Sequence, residues 1–471
     1  MKRKPQVRVG VVVLGCDKNT VDSEYLAASL ARRGALVTAD PIGDGPVDAV
    51  VIATCGFTDE ARRQSIATIL EWAGRKRASP HPMRLYIWSC LGQRWAGDLL
   101  EAIPDIDGIA GVGRFEQLAA AILGTAGQEQ KAVSSAARSS TPHSTLHTPH
   151  ASFPPSVRIA RGLARLRLDR RPYAFLKIAD GCNHRCTFCA IPLIKGRLRS
   201  VPRRILLDEA RALLDSGARE LNLIAQDLTD YGRDLYRRYR LPDLLDDLLA
   251  LEGDFWVRLL YVYPGGLSER LIELTASHPK MCPYLDLPLQ HLDAGVLRRM
   301  RRPKPALDAE RLAARLRERI PNLALRTTMM AGFPGEDRAA FERLLDGVRR
   351  IRFDRLGAFV FSRESGTAAF TMADPPTPRT ALRRLDRLMR LQAAISAELA
   401  REQIGRTVRV LVESAVGKEG QYLGRTMRDA PEVDGVVKFR SPHAVEIGSF
   451  VEARITGAET YDLSGEVNSE K

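Results

Sequence analysis

The stretch Gly181-Cys182-Asn183-His184-Arg185-Cys186-Thr187-Phe188-Cys189 decides how the rest of the chain is read. Its three cysteines stand at spacings of four and three. Thiolates so spaced can hold a cubane 4Fe-4S cluster by three of its irons, leaving the fourth iron open to a small molecule. An incomplete ligand set of this kind points to chemistry rather than to a structural brace. Two other readings fit the same letters: a zinc knuckle lacking its fourth ligand, and a chance grouping of cysteines.

Around this loop the chain has 471 residues, enough for two or three domains, each with its own core. The hydrophobic share of 45% is that of a globular protein, and no run of about 18 apolar residues offers a membrane span. The basic start Met-Lys-Arg-Lys-Pro-Gln leads into a β-like run without a cleavage pattern. That argues against export and for a cytoplasmic protein with no membrane partner. Seven cysteines, an odd number of which six sit just past apolar runs or within the cysteine loop, read as reduced metal ligands rather than as a disulfide framework. The formal net charge of +14 implies an acidic partner, with a ribosome or an RNA as the natural candidate.

Upstream of the loop, residues 1–123 alternate strand and helix signals: apolar runs at 7–14, 48–53 and 84–88, and helical spacing over 21–33. This predicts a doubly wound α/β domain with a mostly parallel sheet. Each apolar run is followed closely by a cysteine, Cys16, Cys55 and Cys90. Ligands bind at the carboxyl edge of such sheets, so the three thiols can converge into a second cluster site. They are equally readable as small residues buried under loops. Residues 124–171 predict a flexible basic linker. It carries His143, His147 and His150 in a solvated tract, then Arg158, Arg161, Arg165, Arg167, Arg170 and Arg171, readable as a phosphate-contacting arm or as a solvated arginine-rich helix face.

Downstream, residues 172–403 repeat strand and helix, with strands expected at 174–178, 220–225, 255–261, 284–287, 323–330 and 355–361. Six such units predict an incomplete (β/α)6 barrel with the cysteine loop at the carboxyl end of its first strand. A long charged helix is expected over 378–403. Residues 404–471 carry short β-rich runs and predict a small OB-like β-barrel. That segment has nine Lys plus Arg against eleven Asp plus Glu, an acidity better suited to a basic protein than to RNA phosphates.

The spacing Cys182-x3-Cys186-x2-Cys189 resembles the signature of radical S-adenosylmethionine (SAM) enzymes. The surrounding words resemble one family of them, the methylthiotransferases, over essentially the whole chain. Leu14-Gly15-Cys16-Asp17-Lys18-Asn19 with Val21-Asp22-Ser23-Glu24, Thr54-Cys55-Gly56-Phe57 and Cys90-Leu91 are similar to that family's three N-terminal cysteine motifs. Leu260-Tyr261-Val262-Tyr263-Pro264, Asp286-Leu287-Pro288-Leu289-Gln290-His291 and Phe361-Ser362-Arg363-Glu364-Ser365-Gly366-Thr367 resemble the branch that modifies a ribosomal protein. The branch acting on tRNA adenosine typically has His-Pro at Tyr263-Pro264, Gln-Ser at Gln290-His291 and arginine at Glu364. This chain departs from the family pattern in its long linker and in Ser89-Cys90, where Gly-Cys is usual.

The resemblance implies a radical-SAM barrel and a C-terminal TRAM domain. It implies two 4Fe-4S clusters, one on Cys182, Cys186 and Cys189 as the catalytic set, the other on Cys16, Cys55 and Cys90. It also implies SAM in two roles, methyl donor and radical source. Gln226, Asp227, Gly332, Gly335 and Glu336 become expected cofactor contacts, and Gln290, His291 and Glu364 expected substrate contacts, although turns, loops and core packing account for the same letters. The reaction implied is methylthiolation of an aspartate β-carbon in a small-subunit ribosomal protein, met free or on the ribosome. An electron donor such as flavodoxin or ferredoxin and a monomeric enzyme are expected with it. A tRNA adenosine methylthiotransferase and a non-catalytic iron-sulfur redox sensor that binds RNA or the ribosome are the alternatives.

Overall fold

The computed structural model describes residues 6–124, 165–303, 308–417 and 419–467. Most of the expected linker, with His143, His147, His150, Arg158 and Arg161, lies outside the described residues. The first domain runs β1 (Arg8–Val13), α1 (Asp17–Arg32), β2 (Leu36–Thr38), β3 (Ala49–Thr54), α2 (Asp59–Ala78), β4 (Arg84–Ser89), α3 (Cys90–Ala102), β5 (Gly108–Ala110) and α4 (Phe115–Ile122). Its sheet is parallel in the order β2-β1-β3-β4-β5. Every residue of Ala49–Thr54 is buried, as expected of a strand covered by helices on both faces. Chain direction across the sheet reverses beside β1, and the carboxyl ends of β1, β3 and β4, three neighbouring strands, deliver Cys16, Cys55 and Cys90.

Helix α1 begins at Asp17, four residues before the apolar spacing starts. Its first turns bury Asp17, Lys18, Asn19, Asp22, Ser23 and Glu24. Apolar periodicity cannot see this segment, because its polar side chains are buried by partners, Asn19 within its own domain and Asp22 and Glu24 against the chain beyond it, rather than exposed to water.

That second domain contains β6 (Tyr173–Lys177), β7 (Ala179–Asp180), β8 (Arg199–Ser200), β9 (Glu220–Ile224), β10 (Trp256–Leu259), β11 (Met281–Asp286), β12 (Ala324–Ala331) and β13 (Arg355–Val360). Six strands form one open sheet in the order β13-β12-β11-β10-β9-β6, and every pair in it is parallel. The short antiparallel pair β7–β8 brackets the cysteine loop. Leu176, Leu221, Leu223, Val257, Leu259 and Leu325 alternate onto the face that packs against the surrounding helices.

Tyr173, Phe175, Ile224, Trp256 and Tyr284 occupy the other face. There they meet Val21 and Tyr25 of α1, and Leu411, Ala430 and Phe450 of the C-terminal domain. The inner face of the incomplete barrel is thus filled from both flanking domains. Expected strand 255–261 stops at Leu259 because Tyr261 takes a left-handed backbone, φ 64°.

The last domain is a closed five-stranded barrel of β14 (Thr407–Ala415), β15 (Gln421–Arg425), β16 (Val437–Arg440), β17 (Phe450–Ala458) and β18 (Leu463–Val467), in the order β14-β15-β16-β18-β17. It is joined to the central sheet by buried ion pairs. Glu220, wholly buried, accepts from Arg258 Nε and from Arg425 Nη2, each at 2.6 Å. Tyr284 donates to Asp434 at 2.6 Å, and Arg355 pairs with Asp429.

Two expectations change here. Asp429 and Asp434 are buried against barrel arginines, so part of this domain's acidity is unavailable to any partner. Arg165 is no free phosphate arm: its guanidinium is buried between Glu24 of α1 at 2.7 Å and Glu209 at 2.9 Å, joining the first domain to the barrel. An arginine in that position leaves water only because two carboxylates compensate it.

Candidate active site

The cysteine loop is shaped by its flanks. Gly181 has φ +73°, and a Cβ there would lie 2.2 Å from the carbonyl oxygen of Arg197, so only glycine fits. Cys182 N–H donates to the Gly196 carbonyl at 3.1 Å and Cys189 N–H to that of Cys186 at 3.2 Å, closing the turn. All three thiols are free and partly buried. Burial pushes Cys182 and Cys189 up to about 12, with the neighbouring thiols acting in the same sense. Thiols so placed shed their protons only to a strong positive partner, which is what a metal supplies.

A stack of side chains backs the loop. The His184 ring lies on Tyr263, centroids 3.8 Å apart, and its Nε2 donates to Asp227 at 2.6 Å. Asp227 also accepts from the N–H and hydroxyl of Thr229, at 2.8 and 2.6 Å. Arg302 covers the other face of the same arrangement, 4.6 Å from the Tyr263 ring, with Nη1 3.5 Å from Cys186 Sγ. His184, Tyr263 and Arg302 were not singled out as site residues from sequence. The Tyr263-Pro264 word was the available signal.

The second set of thiols lies across a buried charged seam. Cys16 caps α1, Cys55 follows β3 and Cys90 opens α3. Gly15, φ +97°, lets the first loop come close to Cys55: a Cβ there would sit 2.7 Å from Cys55 Cβ. Ser89 holds φ 79°, ψ −142° just before Cys90, a region essentially reserved for glycine and worth about 1–3 kcal/mol of strain. Burial pushes Cys55 up to about 12, with Cys90 and Cys16 adding to it, and burial also raises Cys90.

Lys195, from the cysteine loop, bonds Asp22 of α1 at 3.2 Å and Asp180 at 3.4 Å. Lys177 pairs with the same two carboxylates. Burial alone would raise Asp180, yet the two lysines outweigh it and hold its carboxyl well below the usual range. Lys195 is raised well above its ordinary value against the opposing effect of burial, and its charge reaches Cys90 and Cys16. One hydrogen-bonded cluster therefore connects the loop of the first triad to the helix of the second.

The remaining sequence-predicted residues divide. Gln226 Nε2 donates to Asp180 at 3.0 Å, leaving its buried Oε1 without a partner, and Gln290 Oε1 is likewise unpartnered. Such buried acceptors at the carboxyl ends of β9 and β11 suit a polar ligand. Glu336 is already engaged: it accepts from Gly332 N–H at 2.5 Å and pairs with Arg384 at 3.0 Å. Gly332 and Gly335, φ +83° and +86°, meet Ala381 and Arg299 where a Cβ would go. Glu364 is buried, held by Arg62 at 2.6 Å and Arg94 at 2.9 Å, and so joins the first domain to the barrel. Both arginines donate to Oε2, and Oε1 accepts from the Ser362 hydroxyl at 2.7 Å, so both carboxylate oxygens are already engaged.

His291 is wholly buried, and its Nδ1 accepts the Asp293 N–H at 2.9 Å, which places the ring proton on Nε2. Burial lowers it from 6.5 to about 3. As pH falls below 6.5 the unfolded chain takes up a proton that the folded ring refuses until about 3. Stability should therefore fall with acidification by up to about 1.4 kcal/mol per pH unit from this group. Urea midpoints at pH 6.5 and 5 should differ less in His291→Asn, which keeps the acceptor; equal slopes in both proteins would contradict the assignment.

Comparison with known proteins places this geometry. Residues 8–111 match the uncharacterized protein family UPF0004, residues 176–348 the radical SAM superfamily and residues 404–467 the TRAM domain. The chain is 41% identical over 463 residues to the ribosomal protein uS12 methylthiotransferase RimO of Desulforudis audaxviator, covering 98% of this chain and 97% of that one. It is 39% identical over 464 residues to the protein of the same name from Geobacter sulfurreducens, covering 98% and 99%. Among solved structures, the radical SAM methyltransferase TsrM of Kitasatospora setae shares the fold, with TM-score 0.53, 15% identity and coverage of 87% of this chain and 79% of that one. With two sets of three thiols at strand ends, three matching domains and relatives alike from end to end, the chain belongs to the radical SAM methylthiotransferase family, on its RimO branch.

Proposed function

We propose that this protein transfers a methylthio group to the β-carbon of an aspartate in ribosomal protein uS12. The observation that carries the reading is the likeness to RimO proteins over 98% of the chain. The two triads joined through the Lys195–Asp22–Asp180 seam support it, since one substrate carbon must be reached by both a radical source and a sulfur source.

When bound, iron-sulfur clusters on Cys182, Cys186, Cys189 and on Cys16, Cys55, Cys90 supply the electron for SAM cleavage and carry the sulfur, chemistry no side chain provides at an unactivated carbon. The residues of the chain do the rest. Gln226 and Gln290 offer free amide oxygens to the polar groups of SAM. Arg302 sets a positive charge beside Cys186, and the His184–Tyr263 stack ties the loop to the segment that follows β10. Lys195 and Lys177 neutralise Asp22 and Asp180, so the seam that connects the two triads is buried and ion-paired.

The enzyme acts as a cytoplasmic monomer fed by a flavodoxin or ferredoxin. Among the described residues no helix is long and apolar enough to cross a membrane. Mass spectrometry of uS12 and of tRNA from cells with and without the gene tests the substrate. A methylthio group on a uS12 aspartate that disappears with the gene is expected. Its appearance on tRNA adenosine alone would overturn the choice.

A further inference from the structure

Asn19 stands on the first turn of α1, three residues after Cys16, and is 1% exposed. Its Nδ2 donates to the Leu14 carbonyl at 2.8 Å and to the Thr54 carbonyl at 3.1 Å. Its Oδ1 accepts from the Ser89 hydroxyl at 2.9 Å. Leu14 directly follows β1 and lies two residues before Cys16, Thr54 immediately precedes Cys55 and Ser89 immediately precedes Cys90. One side chain therefore holds all three strand ends that carry the second triad.

Only a primary amide combines two donors with an acceptor on so short a stem. A carboxylate loses both donated bonds, and an apolar residue loses all three. The third bond comes from Ser89, whose backbone takes φ 79°, ψ −142° and whose hydroxyl is also 3.8 Å from Cys90 Sγ. Serine at this position thus adds a contact that glycine, the residue best suited to such a backbone, could not make. A second tie, from the Thr54 hydroxyl to the Trp88 carbonyl at 2.7 Å, joins the ends of β3 and β4 but leaves Cys16 out.

We propose that Asn19, completed by Ser89, is the positioning residue of the Cys16, Cys55 and Cys90 site: it sets the separation of the three loops so that the thiols meet one cubane without rearrangement. This rests on reading that triad as a cluster site. Preorganisation of this kind matters because three loops far apart in sequence must otherwise lose their freedom when the cluster binds.

The test is iron and sulfide analysis of anaerobically reconstituted full-length protein, with electron paramagnetic resonance of the reduced form. Wild type should hold about eight irons per chain and Asn19→Ala about four. The spectral component missing from Asn19→Ala should be the one that Cys55→Ala also removes. Circular dichroism and uncoupled formation of 5′-deoxyadenosine from SAM should be unchanged, because the Cys182 loop is untouched. Ser89→Ala, a gentler change that keeps the chain folded, should lose part of the second cluster's iron, and Ser89→Gly no more than that. Full iron in Asn19→Ala and Ser89→Ala overturns the proposal, as does equal loss at both triads. Only about four irons in wild type, unaffected by Cys55→Ala, would instead overturn the two-cluster reading itself.

Discussion

Cys186→Ala should abolish SAM cleavage, lowering 5′-deoxyadenosine formation by at least about 1000-fold, because no acid-base route to the reaction remains in the protein. The loop itself should persist, since Gly181, the Cys182–Gly196 bond and the β7–β8 pair shape it without the Cys186 thiol. Iron should fall from about eight to about four per chain, the remainder held by the upstream triad. Product is measured by chromatography after dithionite reduction. Cys282→Ala is the control: Cys282 is wholly buried among aromatic residues of the barrel's inner face, so its loss should cost about 1 kcal/mol of stability and no iron. Unchanged SAM cleavage in Cys186→Ala would remove the catalytic assignment, leaving a binding protein.

Lys195→Met should destabilise the protein by about 3–5 kcal/mol, the cost of leaving a buried carboxylate without its cation. The substitution keeps the length of the side chain, so packing changes little while the two carboxylates of Asp22 and Asp180 are left to share the Lys177 charge. The sign of the pH dependence identifies the cause. In the wild type the depressed carboxyl of Asp180 contributes stability that is present above 3.8 and lost as pH falls further. In the variant an uncompensated carboxyl prefers its proton, so the deficit should shrink from pH 8 to pH 5.5. Urea unfolding at those two pH values measures it. A loss below about 1 kcal/mol, or a deficit independent of pH, would show that the seam is not held by charge.

Much of the site is legible in the letters because thiol chemistry leaves few alternatives. Cys182, Cys186 and Cys189 lie within one loop, so their convergence needs no long-range information. Cys16, Cys55 and Cys90 follow apolar runs, and a parallel sheet brings the carboxyl ends of neighbouring strands to one edge. The polar residues were harder to place. Periodicity marks where apolar side chains leave water, whereas Asp22, Lys195 and Arg165 are buried because partners from other domains neutralise them. Glu364 and Glu336 look free on paper and are engaged in space.

The chain's order of residues alone therefore determines the three-domain plan and the two sets of thiols, since strand-forming runs, left-handed glycines and cysteine spacing act over a few neighbouring residues. Tertiary structure alone decides which side chains connect the two sets: Asn19 across three strand ends, and Lys195 between α1 and the barrel. Hydrogen bonds and ion pairs depend on distance in space and on exclusion of water, and neither can be read from separation along the chain.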